Sequence, residues 1–324
     1  MNFIGDVLFT TPALAALRRG YPEASLTVAV GPRAREVLAA NPDVDRVIDF
    51  APNWEFRRRL LPQLRRERFD IAFSFSARDI ERALWGCLLG CRQRWGFSRP
   101  ETRWLYSGHV KENEQQHWAA DYLALACAAG GQAAGMLPRF YLTPAEEAWA
   151  ERTLADAGVD PGRFLLGLHM GASYPEKAWL PERFVELARL AARDRDAQVV
   201  VFGGEGEAAL GEWLKERVPN ALNLAGTLTL RQFAATARRC AAFVGGDSGP
   251  THVAAALGVP TVGLFGFTDP VRTGTLGARA TVLTGLQRNG DRNAQRRQQS
   301  PYQWLAPITS AEVWDAACRL SASS

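Results

Sequence analysis

At 324 residues the chain is long enough for two domains of roughly 150 residues each. With 47% hydrophobic and 22% charged residues and a net charge of +4, it has the balance of a soluble globular protein, not a disordered or fibrous one. No apolar run reaches the roughly 18 residues of a spanning helix, and the start, with Asp6 and no basic lead, does not read as a signal peptide.

Taken in order, the chain opens with Gly5-Asp6, expected on a turn, and with Thr10-Thr11-Pro12, expected to open a helix over 11–20. Ser25–Val30, Arg46–Phe50 and Asp70–Phe75 then read as strands, and 33–40, 54–67 and 78–89 as helices between them. The segment 141–163, with Pro144, Gly158, Pro161 and Gly162, is the expected inter-domain stretch. It places a first domain over 1–150 and a second over 151–308. In the second, Phe164–Leu168, Gln198–Phe202, Ala221–Leu224, Ala241–Val244 and Thr261–Phe265 read as strands. Helices are predicted over 181–193, 205–217, 229–239 and 250–257, a polar surface loop over Gln287–Gln303, and a last helix near 310–320, within 309–324. Short strands alternating with helices predict an α/β protein with two parallel, doubly wound sheets. Ligands of such sheets sit beyond the carboxyl ends of the strands.

Charge is unevenly spread. Residues 55–111 hold 13 Lys+Arg against 6 Asp+Glu. Arg57, Arg58, Arg59, Arg65, Arg66, Arg92, Arg94, Arg99 and Arg103 fall there, interleaved with Trp54, Phe56, Trp85, Trp95 and Trp104. Solvated helix faces account for most of these arginines; an anionic partner is the alternative. No nucleic-acid fold signature accompanies them. The five cysteines (Cys87, Cys91, Cys127, Cys240, Cys318) show no Cys-x-x-Cys pair and read as free thiols. Four histidines without paired spacing carry no metal signature.

The richest segment is Val244-Gly-Gly-Asp-Ser-Gly-Pro-Thr-His252. A buried strand ends at two glycines, and a helix begins near Ser248 with Pro250 in its first turn. Unpaired N–H groups at such a start favour an anion, above all a phosphate; Gly249 admits it to the backbone, and His252 lies one turn in. A well-capped helix is the plainer reading. Phe202-Gly-Gly-Glu-Gly-Glu207 also leaves a strand for a helix, but it is not Gly-x-Gly-x-x-Gly, so a nicotinamide cofactor is poorly supported. Lys177, on the loop after the 164–168 strand, can neutralise a diphosphate as a point charge, or be an ordinary exposed lysine. Asp6 before a helix can be a cap or a proton acceptor.

Three motifs together resemble glycosyltransferase family 9, the ADP-heptose:lipopolysaccharide heptosyltransferases. These are Gly5-Asp6 with Thr10-Thr11-Pro12, then His169-Met-Gly-Ala-Ser-Tyr-Pro-Glu-Lys-Ala-Trp-Leu-Pro-Glu-Arg-Phe184, then the 244–252 segment with Phe265-Gly-Phe-Thr-Asp-Pro270. They lie in the family's order and span nearly the whole chain. The resemblance implies two facing Rossmann-like domains of the GT-B type, with the last helix commonly packed back on the first domain. It implies an enzyme that moves heptose from ADP-heptose to an inner-core lipopolysaccharide hydroxyl with inversion, without metal or cofactor. The acceptor would be an anionic glycolipid, and the protein cytoplasmic or peripheral at the inner membrane. Asp6 would be the catalytic base. Ser173, Lys177, Ser248, Gly249, Thr251 and His252 would bind the donor diphosphate, and Glu207, better placed than Glu205, the ribose. Asp247 would orient its loop or hold a sugar hydroxyl.

Two departures stand out. Ala172 replaces a hydroxyl that some members carry. The family's first strand normally precedes the Gly-Asp turn, whereas Met1 lies four residues before Gly5; a mis-set start, or a form without that central strand, is expected. A family member with another donor or acceptor, a nucleotide-sugar epimerase of the same fold, and a non-catalytic binding relic are the competing readings. The epimerase would not be expected to carry the Gly-Asp and Thr-Thr-Pro motif.

Overall fold

Helix α1 (Ile4–Gly20) is buried from Val7 to Leu14 and again at Ala16 and Leu17, which only a helix wrapped by other elements can be. The computed structural model describes residues 3–50, 54–76, 80–172, 174–266, 268–285 and 302–322. The chain divides into two compact units, Met1–Arg139 and Phe140–Ser324.

In the first unit α1 packs against α4 (Trp118–Ala128), whose Ala119, Tyr122, Leu125 and Ala126 are buried. The two chain segments come so close that a Cβ on Gly20 would lie 2.2 Å from the Gly130 carbonyl oxygen. Strand β1 (Thr27–Val30) pairs in parallel with β2 (Arg46–Asp49), and β3 (Ile71–Phe73), β4 (Gln93–Phe97) and β5 (Gly108–Val110) form a second parallel sheet. Helices α2 (Trp54–Arg66) and α3 (Ile80–Leu88) lie between these strands in sequence. Among the described residues no strand precedes α1, and β1 and β3 each pair on one side only. The described strands of this unit thus form two short parallel sheets.

The helix expected from residue 11 begins at Ile4. Pro12 is inside it and has no N–H for the Leu8 carbonyl. The Thr11 hydroxyl replaces that donor, giving its proton to the Leu8 oxygen at 2.8 Å while accepting from the Arg139 N–H at 2.9 Å. A proline that looked like a start signal is thus held within a buried helix by a neighbouring hydroxyl and by packing.

In the second unit β6 (Leu165–His169), β7 (Gln198–Phe202), β8 (Ala221–Asn223), β9 (Ala242–Gly246), β10 (Thr261–Phe265) and β11 (Ala280–Thr284) form one parallel sheet in the order β11-β10-β9-β6-β7-β8. Between them run α5 (Pro144–Asp156, before β6), α6 (Pro181–Arg195), α7 (Ala208–Lys215), α8 (Leu230–Ala237), α9 (Gly249–Ala256) and α10 (Pro270–Thr273), and α11 (Ser310–Ala322) ends the fold. Every residue of β6, β9 and β10 is buried, as in strands covered on both faces. Numbered from the first strand, the order is that of doubly wound nucleotide-binding sheets, and it reverses between β6 and β9. His169 pairs with Gly245 across that reversal.

The unit boundary precedes α5, whereas residue 150 would cut through this helix. A capping box between Thr143 and Glu146 starts α5, and Arg231 of α8 bonds Glu146 and, at 2.9 Å, the Tyr141 carbonyl. The segment is thereby tied to the second unit. The last helix packs on α6 and the second unit's sheet. Val313, Trp314, Ala316 and Ala317 enter its core, and the Trp314 indole N–H bonds Asp194 at 2.9 Å. The apolar face of α11 is used there.

Candidate active site

The loops leaving β6, β7 and β9, at the carboxyl ends of the strands where the sheet's order reverses, carry the candidate residues. After β9 comes Asp247. Its Oδ2 accepts from the Lys177 ammonium at 2.6 Å and from the Thr268 hydroxyl at 2.7 Å, and its Oδ1 lies 3.4 Å from His252 Nε2. Burial of the Asp247 carboxyl would raise its pKa, but the His252 contact and the Lys177 ammonium outweigh it and hold the group well below the ordinary carboxylate range. Lys177 ends a short 3-10 turn, Pro175–Lys177, and its side chain is mostly buried, unlike that of a free surface lysine. The turn brings a cation to the carboxyl end of β9.

Helix α9 begins directly after. Ser248 is its N-cap residue, yet its hydroxyl makes no capping bond and instead meets His169 Nδ1 at 3.2 Å and Thr251 Oγ1 at 3.1 Å. Its side chain therefore leaves the first-turn N–H groups uncapped, and with Gly249 at the first position this is an anion-binding geometry. Thr251 and His252 are buried in the first turn behind it.

Glu207 closes the group from the β7 side. It ends the 3-10 turn Glu205–Glu207, accepts from the Gly204 N–H at 2.6 Å, and lies 3.6 Å from His169 Nε2. At that distance the ring and the carboxylate face each other without a formed hydrogen bond. Burial raises the Glu207 carboxyl; the His169 imidazole and the Gly204 N–H overcome this and lower it. Its carboxylate lies over the loop after β6, where a Cβ on Gly171 would come 1.4 Å from Oε1. Only glycine leaves room for it.

A cation, a helix start and a carboxylate gathered beyond a sheet's switch point are groups of the kind that can hold a nucleoside diphosphate. The model of glycosyltransferase family 9 (heptosyltransferase) matches residues 57–304. The chain belongs to this family. Lipopolysaccharide heptosyltransferase 2 of Escherichia coli K12 is 30% identical over 87% of this chain and 85% of its own, and its Salmonella typhimurium counterpart is 31% identical over 96% and 94%. The solved E. coli ADP-heptose lps heptosyltransferase II superposes with a TM-score of 0.81 at 27% identity, covering 99% of this chain and 97% of its own. A family 9 structure from Veillonella parvula gives 0.86 at 24%, over 100% and 96%, a likeness of fold. The protein is a glycosyltransferase with the two-domain α/β architecture of these enzymes.

In this family 9 enzyme the structure brings Lys177, Asp247, Ser248, Gly249, Thr251, His252 and Glu207 together in the second unit. Ser173 lies outside the described residues. Asp6 is in the first unit and is not on a turn: it occupies the first turn of α1, partly exposed, because that helix starts at Ile4. The basic region is mixed. Arg94 is committed to the Cys91 and Leu105 carbonyls and Arg99 to Glu112, and Trp85 is core, while Arg65, Arg66, Arg92, Arg103 and Trp104 are exposed. The side chains of Trp54, Phe56 and Arg57 lie outside the described residues, as does most of the Gln287–Gln303 loop. Sequence reasoning assigned nothing to His169 or Thr268. Both stood in quoted motifs, His169 as the last residue of a buried strand and Thr268 in Phe265–Pro270, and position at a strand's carboxyl end was the available signal.

Proposed function

We propose that the enzyme transfers heptose from ADP-heptose to a hydroxyl of a lipopolysaccharide inner core by a single inverting displacement. The observation that carries this reading is the convergence of Lys177, Glu207 and the start of α9 outside the β6–β9 reversal, in a chain whose relatives are named lipopolysaccharide heptosyltransferases. Glu207 binds the ribose hydroxyls. Lys177 and the backbone N–H groups of Gly249 and Thr251 meet the diphosphate, and His252 and Ser173 complete its surroundings. As the anomeric bond breaks, charge grows on the departing ADP, and donors already fixed in place stabilise it without reorganising. Asp247 holds Lys177, His252 and Thr268 in position around the diphosphate. Its carboxylate is already engaged by a lysine, and on this reading the leaving-group charge is met by Lys177 and the helix start. Asp6 accepts the proton of the attacking hydroxyl.

The acceptor is an anionic glycolipid presented at the inner membrane's cytoplasmic face, met by the exposed arginines of the first unit. Among the described residues no helix is long and apolar enough to cross a membrane, and a peripheral enzyme needs none. The test is Asp6→Asn. Turnover should fall by about 10²–10⁴-fold, the usual worth of general-base help. ADP affinity measured by calorimetry should stay near wild type, because Asp6 belongs to the unit without the donor residues. A helix-stabilising charge in a first turn is worth only about 0.3–1 kcal/mol. Near-normal transfer by Asp6→Asn would therefore remove the base from this mechanism.

A further inference from the structure

His169 touches both halves of the proposed donor site. It ends β6 and is buried, with its ring standing between two elements. Nε2 faces Glu207 Oε2 at 3.6 Å, and Nδ1 faces Ser248 Oγ at 3.2 Å. The surroundings are cut to fit. A Cβ on Gly245 would lie 2.5 Å from Thr251 Oγ1 and 3.2 Å from His169 Cβ, so a side chain there would push this chain of groups apart. An ionised carboxylate can only accept, so its charge, facing Nε2 at 3.6 Å, favours the neutral tautomer that carries the proton on Nε2. Nδ1 is then an acceptor, and the Ser248 hydroxyl spends its proton on it. The Ser248 Oγ is turned towards the ring and makes no capping bond.

We infer that His169 is a positioning residue that holds Glu207 for the ribose and Ser248 for the start of α9, so that the ribose and diphosphate subsites are set by one ring. The inference rests on the nucleotide-binding reading above. It makes the Ser248 hydroxyl a support of the imidazole and leaves phosphate contact at that residue to the backbone.

Calorimetric titrations of ADP and of 2′,3′-dideoxy-ADP, on the same sample of each variant, test it. Because both affinities come from one sample, any loss of folded protein cancels in their ratio. Wild type should prefer ADP by about tenfold or more, the worth of hydrogen bonds to a charged group, and Glu207→Ala should abolish the preference. His169→Ala should bring the preference to within about twofold although Glu207 is intact, and Ser248→Ala should lower it at least about threefold. Nitrogen-15 spectra of the wild type should show the His169 side chain as the Nε2–H tautomer. A wild-type preference that Glu207→Ala abolishes but His169→Ala or Ser248→Ala leaves whole would overturn the inference alone, as would the Nδ1–H tautomer. No preference in the wild type would instead sink the ribose role of Glu207, and the inference with it.

Discussion

At the scale of single residues, the donor side of this enzyme depends on where a few side-chain ends are held. Lys177 is not a loop lysine waiting for a ligand; Asp247 already fixes its ammonium at 2.6 Å. Such a cation loses little further freedom when it meets a phosphate. Lys177→Ala should weaken ADP binding by about 1.5–3 kcal/mol, the scale of a charge-assisted hydrogen bond, and unchanged calorimetric affinity would reject the assignment. Gly171 offers a subtler test. A methyl there would meet the Glu207 carboxylate at 1.4 Å, and the carboxylate is the mobile end of a side chain. Gly171→Ala should therefore swing Glu207 aside at small cost to the melting temperature. It should also lose the ADP affinity that Glu207→Ala loses. Full affinity in Gly171→Ala would show that the carboxylate does not act from its present position.

At the scale of elements, helix starts carry much of the organisation. The first turn of α9 is left uncapped by its Ser248 side chain, while α5 is capped twice over. Glu146 closes the α5 capping box and also accepts from Arg231 of α8, whose guanidinium holds this carboxyl down to about 2, against 4.5 for an unperturbed glutamate. A pKa depressed in the folded state gives stability that is complete above the unfolded value and is lost as pH falls through the folded one. The window here runs from about pH 5 down to about pH 2. With the side chain a quarter exposed, solvent screening reduces the contribution to the order of 2 kcal/mol. Melting curves of wild type and Glu146→Gln should differ most at pH 6–7 and converge towards pH 2–3. A constant difference across that range would show that the ion pair contributes little.

At the scale of the whole molecule, the two units carry different chemistry. The second holds the residues proposed to bind the nucleotide, around its switch point. The first carries the excess of basic over acidic residues, and Arg65 and Arg66 at the end of α2 and Arg92 and Arg103 beyond it are exposed. If these meet an anionic glycolipid, acceptor binding should fall as salt rises, because exposed charges are screened over about 8–10 Å at physiological ionic strength. Reversing Arg65 and Arg66 to Glu should weaken that binding and leave ADP affinity unchanged. Acceptor binding indifferent to both salt and reversal would place the contact elsewhere.

Much of this was legible in the amino-acid order. The second-unit strands from Phe164 to Phe265 were readable because strands covered on both faces are short unbroken apolar runs, and the family was readable from three motifs whose spacing is a property of the chain alone. Strands β4, β5 and β11 were not. Gln93–Phe97 carries Gln, Arg and Gly, Gly108–Val110 is three residues long, and Ala280–Thr284 is a half-buried edge strand; pairing with neighbours distant in sequence is what makes each a strand. Likewise Pro12 looked like a helix start because local propensity says so. Only burial against α4 and the bond from the Thr11 hydroxyl to Leu8 carry the helix through it and put Asp6 within its first turn. The residue types needed for nucleotide chemistry were thus set by the sequence, because anion-binding turns are local. That His169 joins Glu207 to Ser248, and that Asp247 holds Lys177, were decided by the tertiary structure, because parallel strand order brings together loops up to 79 residues apart.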